Sequence, residues 1–140
     1  MLLEIYRKNK KQKDKLKTLS QHKKELQVLV NRYVQIRDKG KDCVSCDRPD
    51  TGAKRDAGHF WSQGENPSVR FDLDNIHVQC VHCNRDKHAN LLEYRPRLIK
   101  RIGRKRFDEL EQRRTQSIKQ TIPEIETLKQ LFKQKIKLAL

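Results

Sequence analysis

CVHCNRDK, residues 80–87, sets two cysteines three apart, an asparagine directly behind the second, and a lysine three residues further on. A second pair, Cys43 and Cys46 in CVSC, has the same spacing, and 33 residues separate the two pairs. Each CxxC forms a chelating turn, and four thiolates from two such turns close a tetrahedron around zinc. Disulfides and free core thiols are the alternatives. The opening residues, MLLEIYRKNKKQKDKLK, hold no signal-peptide core, and no apolar run approaches the roughly 18 residues of a membrane span. The chain therefore reads as cytosolic, where disulfides are rare and paired CxxC motifs bind metal more often. Closed by four sulfurs, the site formed by Cys43, Cys46, Cys80 and Cys83 is expected to be structural. The gap between the pairs leaves room for a β-hairpin.

Charge is arranged around this centre. The chain has 140 residues and a net charge of +15. Residues 1–42 carry net +8, residues 91–140 again +8, and residues 43–90, which hold every cysteine and four of the five histidines, carry −1. Two basic flanks point to a polyanionic partner, DNA, RNA or an anionic membrane. A neutral centre suits a metal site better than a coat for nucleic acid.

The flanks read as helices. Residues 1–19 form a solvated helix or a mobile arm. Residues 20–42 form an amphipathic basic helix, N-capped by Ser20 and stopped at Gly40, with Leu26, Leu29, Val30, Tyr33 and Ile36 at helical spacing. Residues 43–90 are the core, with β-like runs GHFW and SVRFDL, and residues 80–89 suit a short helix. Residues 91–140 are basic C-terminal helices. Pro96 opens one that Gly103 closes, Phe107 and Leu110 belong to the next, and Thr121–Glu124 is a capping box before the stripe Ile125, Leu128, Leu131, Phe132, Ile136. That stripe packs on its own core or serves as a dimer contact.

Within RDAGHFWSQGENPS, residues 55–68, His59 lies between the cysteine pairs, 16 residues before Asn75, which lies 9 before Asn84. The order CxxC, His, Asn, CxxCN, Lys resembles the HNH (His-Me finger) nucleases, whose core is a β-hairpin and a helix around one metal ion. CVSCDRPD, DAGHF and VRFDLDNIHVQCVHCNRDKHANLLEYRPRLIKRIG are similar to the NinG (Rap) recombination proteins of lambdoid phages, over roughly residues 20–115. The resemblance implies an α+β fold: a zinc-stapled ββα-metal core flanked by basic α-helices. It implies an endonuclease cutting branched recombination intermediates, Holliday junctions and D-loops. It further implies a homodimer acting on DNA in the cytoplasm of a phage's bacterial host, with phage recombination proteins as expected partners. A less selective HNH nuclease and a non-catalytic zinc-dependent DNA-binding module are the competing readings.

Phosphodiester hydrolysis needs a base for water and a cation for the charge that builds on the phosphate. His59 is the expected base. Asn75, on the opposing strand, should hold the loop and orient the imidazole. Asn84 should bind Mg²⁺ or Mn²⁺ through its amide oxygen, since hard cations favour oxygen ligands. HNH enzymes often place a second ligand, Asp or His, immediately before the base, where this chain has Gly58. Asp56 is the candidate replacement, brought in by a bend at the glycine. His88, one helical turn beyond Asn84, is another. His77, sharing a strand face with Asn75, approaches the phosphate or packs. Lys87 and Arg70 are candidate DNA contacts, or ordinary surface residues. Phe60 and Trp61 are expected in the core, Asn31 and Asn90 in structural roles, and His22 in solvent.

Overall fold

A computed structural model describes the backbone throughout and the side chains of residues 1–12 and 16–140. The first helix, α1 (Leu2–Lys15), is exposed along its described length. Of the two readings of residues 1–19, a solvated helix or an arm, the chain takes the helix over Leu2–Lys15, and the side chains of residues 13–15 lie outside the described residues. The second, α2 (Leu19–Arg37), starts at Thr18 and not at Ser20. Thr18 has a glutamine at the third helical position, so both halves of a capping box form: Gln21 N–H donates to Thr18 Oγ1 at 3.2 Å and Thr18 N–H to Gln21 Oε1 at 2.9 Å. The helix stops at the buried Asp38, before Gly40, which lies in the following turn at φ +83°.

Asp38 ties this helix to the sheet. β1 (Arg55–His59) pairs antiparallel with β2 (Ile76–Cys80), Gly58 facing His77 and Asp56 facing Gln79. Asp38 Oδ2 accepts from Val78 N–H at 3.0 Å and the carboxylate is gripped by Arg37. Arg37 also donates to the carbonyls of Leu73 and Ile76. Burial pushes the Asp38 carboxyl up, but Arg37 and the Val78 amide outweigh it and hold the pKa at about 2.

The run SVRFDL forms no strand. Pro67–Val69 and Leu73–Asn75 are single 3₁₀ turns, the second capped by Asp72, whose carboxylate accepts from Asp74 N–H at 3.1 Å. The short helix expected over 80–89 is one π-helical turn, His82–Asp86, followed by a 3₁₀ turn, His88–Asn90. His88, Ala89 and Asn90 have φ of +47°, +71° and +49°, so the helix ends where a continuous one would place His88.

α3 (Leu91–Ile102) begins five residues before Pro96, which sits inside it. The missing proline N–H leaves the carbonyl of Leu92 without its helical donor, and Leu92 is 91% exposed, so water can serve it. Gly103, at φ +88°, separates α3 from α4 (Arg104–Arg114). The capping box of Thr121 and Glu124 opens α5 (Ile122–Ala139).

The apolar residues form two clusters. Phe60, Val69, Tyr94, Leu98, Phe107 and Leu110 pack with Val44 under the hairpin, and Trp61 lies against them. Leu26, Val30, Val34, Ile76, Ile125 and Phe132 form the second, between α2, α5 and β2. The α5 stripe thus packs on its own chain and is no free dimer face. Leu131, 47% exposed, falls outside it. His22 is likewise not solvated: it is 6% exposed and its Nδ1 lies 2.8 Å from Lys129 Nζ. Among the described residues, no helix is long and apolar enough to cross a membrane.

His77 is 3% exposed, with Nδ1 3.5 Å from the Tyr94 hydroxyl, so it packs and does not reach a phosphate. Burial, with Arg37 nearby, depresses its pKa to about 3. The unfolded state binds a proton below about pH 6.5 that the folded state refuses, so this contribution to stability is complete above pH 6.5 and declines as pH falls towards 3. From pH 7.5 to 5 the loss should be about 2 kcal/mol. Urea denaturation of the protein and of His77→Phe at both pH values should show the smaller decline in the variant.

Candidate functional site

The two CxxC turns end up together because one follows α2 and the other follows β2, which Asp38 joins. Cys43, Cys46, Cys80 and Cys83 place their sulfurs within 4.8 Å of one another. The Cys46 and Cys80 sulfurs are 3.7 Å apart, against about 3.8 Å for the edge of a tetrahedron with Zn–S bonds of roughly 2.3 Å. Backbone N–H groups of Ser45 and Cys80 point at Cys43 Sγ at 3.4 and 3.3 Å, and that of Cys83 at Cys80 Sγ at 3.4 Å. Burial pushes the Cys80 thiol up, but the Cys83 amide and neighbouring sulfurs bring it to about 7. The cluster can hold a metal such as zinc. Asn90 Nδ2, 3.6 Å from Cys83 Sγ, supports it.

Beside this cluster is an open pocket of about 390 Å³, lined by His59, Asn84 and His88 together with Gln27 and Asn31 of α2 and Ser62 and Gln63 of the following loop. His59 Nε2 lies 2.8 Å from the Arg70 carbonyl. A carbonyl only accepts, so the proton sits on Nε2 and the lone pair on Nδ1. Burial lowers the His59 pKa below its ordinary value, which keeps the ring neutral at pH 7. Tyr94 of α3 donates to the Gly58 carbonyl at 2.8 Å and fixes the strand just before it.

The expected orienting role of Asn75 is displaced. Asn75 ends the 3₁₀ turn before β2, and its amide bridges Trp61 N–H, the Trp61 carbonyl and the Val69 carbonyl at 2.8, 2.9 and 3.0 Å. It holds the loop, while the imidazole takes its partner from Arg70.

Asn84 Nδ2 donates to Asp56 Oδ2 at 3.0 Å, and Arg85 grips both oxygens of that carboxylate at 3.0 and 3.1 Å. A carboxylate fixes which way an amide faces, so Asn84 Oδ1 is left as its free oxygen. Burial raises the Asp56 carboxyl, but Asn84 and Arg85 hold it below its ordinary value. Asp56 therefore anchors Asn84, and it is not bent into the pocket. β1 runs as a regular strand through Gly58. His88 does line the pocket, though through a left-handed turn and not the helical spacing expected of it. Lys87 is exposed at the end of the π turn. Arg70 lies 5.0 Å over the Phe71 ring and donates from Nε to Gln27 Oε1 at 3.1 Å. Among the described residues, the four cysteines are the one group of three or more His, Cys, Asp or Glu side chains placed to share a metal.

Gly58 has a packing cause. A Cβ there would lie 1.7 Å from Gln79 Oε1. Gln79 is fully buried, and its Nε2 donates to Ser45 Oγ at 2.6 Å and to the Ala89 carbonyl at 2.7 Å. One amide thus fastens the first cysteine turn to the segment carrying His88, and it fills the space a side chain at position 58 would need. The sequence signal for this is a glutamine beside Val78 and Cys80 in a strand buried at every position.

A mixed α+β chain with one small antiparallel sheet and a four-cysteine cluster is the class that fold and site define. The chain belongs to the NinG family: residues 4–140 match the family described as Bacteriophage Lambda NinG protein. It is 40% identical over 122 residues to the protein ninG of Escherichia phage 933W, of Escherichia phage lambda and of Salmonella phage P22. These alignments cover 87% of this chain and 59–60% of each relative, so the chain spans about three fifths of their length. No solved structure matches it.

Gly58→Ala should cost about 1–3 kcal/mol by overpacking, and Gln79→Ala should cost stability by removing the donor to Ser45 Oγ and one of the two donors to the Ala89 carbonyl, which keeps Ser45 Oγ. In the double variant the clash is gone, so the two losses should add to less than their sum. A double-mutant cycle by chemical denaturation measures this coupling.

Proposed function

We propose that this chain is a metal-dependent DNA endonuclease of the HNH kind, stapled by zinc at its four cysteines. The supporting observation is that a neutral histidine with its proton fixed on Nε2 shares one open pocket with the unencumbered amide oxygen of Asn84. Nδ1 of His59 is a base for water, and the Arg70 carbonyl stabilises the imidazolium that results. Asn84 Oδ1, with His88 as a second donor, is the place for Mg²⁺ or Mn²⁺, which supplies Lewis-acid stabilisation of the phosphate oxygens when bound. Asp56 and Arg85 hold Asn84 in orientation. The basic flanks supply salt-dependent, sequence-independent affinity for the DNA backbone.

Family membership directs the reading to branched recombination intermediates such as Holliday junctions, cut by a two-fold dimer. With the α5 stripe already covered, such a dimer must use another surface. A second reading, a DNA-binding module without chemistry, draws on Gln79, which fills the space of a ligand at position 58.

Three measurements test the proposal, and cleavage separates it from the binding module. Purified protein should carry one zinc per chain, and Cys80→Ser should release it with loss of the fold, because binding energy at a structural site is folding energy. His59→Ala should reduce nicking of a four-way junction by at least about 10²-fold while leaving binding within a few-fold. Cleavage by His59→Ala at the wild-type rate would reject the assignment, and no cleavage by the wild type with Mg²⁺ or Mn²⁺ would favour the binding module. The rate should be flat near pH 7 and fall only at a pH below about 6.5, since the base must be neutral and its pKa is lowered.

A further inference from the structure

The lining of the His59 pocket is polar but holds no lysine or arginine. Arg85, the nearest cation on the π turn, is spent on Asp56. Yet a phosphodiester brings a negative charge to this place, so a cation beside it would have work to do. Arg70 is the one the hydrogen bonds lead to. Its carbonyl holds His59, and its Nε reaches Gln27 Oε1 at 3.1 Å. Gln27 is itself locked by donating from Nε2 to Asn31 Oδ1 at 2.8 Å, and both amides line the pocket.

Among the described residues, no carboxylate pairs with Arg70. Arg37, Arg55, Arg106 and Arg113 each sit on a carboxylate. The acids closest to Arg70 in sequence, Asp72 and Asp74, are both taken by Arg113, and Asp74 also by Arg106. Arg70 has instead a neutral amide on Nε, the Phe71 ring on one face, and no protein acceptor on either terminal nitrogen among the described residues. It is also half-buried, and burial penalises its charge. A guanidinium held in place, partly desolvated and left with a free fork is an anion receptor awaiting its anion.

We propose that Gln27, on a helix outside the hairpin, is a positioning residue that holds the uncompensated guanidinium of Arg70 at the edge of the His59 pocket as the receptor for a DNA backbone phosphate. Asn31 fixes the rotamer of Gln27. This rests on the nuclease reading for the identity of the anion, not for the geometry. It also makes α2 a wall of the site: the hairpin carries the base, and the helix before the first cysteine pair sets where the phosphate lies. Arg70 then serves twice, through its carbonyl towards His59 and through its side chain towards the substrate.

The test replaces the amide with its isosteric acid. In Gln27→Glu the new carboxylate pairs with Arg70 and cancels the receptor without removing it. Binding of a fluorescent junction in EDTA, followed by anisotropy over a salt series, should weaken about tenfold, with the log–log salt slope falling by about one unit. Arg70→Gln should do the same, and it carries the test alone if Gln27→Glu does not fold, as judged by circular dichroism and zinc content. Gln130→Glu, an exposed position on α5 with the same change of charge, is the control. With Mg²⁺, KM should rise about tenfold in Gln27→Glu while kcat stays within about threefold, a split that loss of His59 geometry would not give. Affinity and slope matching the Gln130→Glu control would overturn the proposal. If the wild type cuts nothing, the nuclease reading fails, and the salt slope in EDTA still decides this one.

Discussion

Everything in this molecule depends on bringing Cys43 and Cys46 against Cys80 and Cys83. The apolar content is too small and too divided for one continuous core. Cys43 precedes Val44, which belongs to the cluster under the hairpin, and Cys80 ends the strand that starts with Ile76, a member of the other cluster. The four sulfurs are thus the joint between two half-cores. Metal bonds suit such a joint because they are short and directional and need little buried area. The amides aimed at Cys43 and Cys80 help to hold the geometry.

Around that joint, buried polar groups do what a larger protein would leave to packing. Asp38 fastens α2 to β2. Gln79 fastens the first cysteine turn to the segment of His88. Asn75 fastens the loop after β1, and the arginines of α4 hold that loop from outside through Asp72 and Asp74. Asp38 and Asn75 have their side-chain atoms engaged by the scaffold, whereas Gln79 donates twice from Nε2 and leaves its buried Oε1 without a partner among the described residues. The same device orients the candidate site, where His59 and Asn84 each have one hydrogen-bonding atom committed to the scaffold and one left over.

Much of this was legible in the sequence, and the misses have physical causes. The cysteine pairs, the hairpin between them and the capping box at Thr121 are local chemistry at fixed spacing, and local spacing survives folding. The gathering of His59, Asn84 and His88 followed from motif order, although the path to His88 did not. Helical spacing was the wrong ruler for a π turn followed by three left-handed residues, and nothing in HANLL announces positive φ at a histidine and an alanine. The partner of His59 was missed because a backbone carbonyl has no sequence identity. Asp56 reads as a ligand in the sequence because its partner, Arg85, lies 29 positions away. His22 reads as a solvent-facing residue on a basic helix, and only the packing of α5 buries it beside Lys129.

The pairing of α2 with α5 has a bearing on how the chain folds. His22 and Lys129 are 107 positions apart, whereas Cys43 and Cys80 are separated by 37. Closing the longer loop costs about 1 kcal/mol more in chain entropy. More important is order, because residues leave the ribosome from the N-terminus onward. The hairpin and its sulfurs are all available when Cys83 has emerged, but the seat for Leu26, Val30 and Val34, begun by Ile76, is completed only with Ile125 and Phe132. The nascent protein therefore passes through an interval in which its four-cysteine half can be assembled and its second core stands open. During that interval the stripe of α2 that α5 will cover is still exposed.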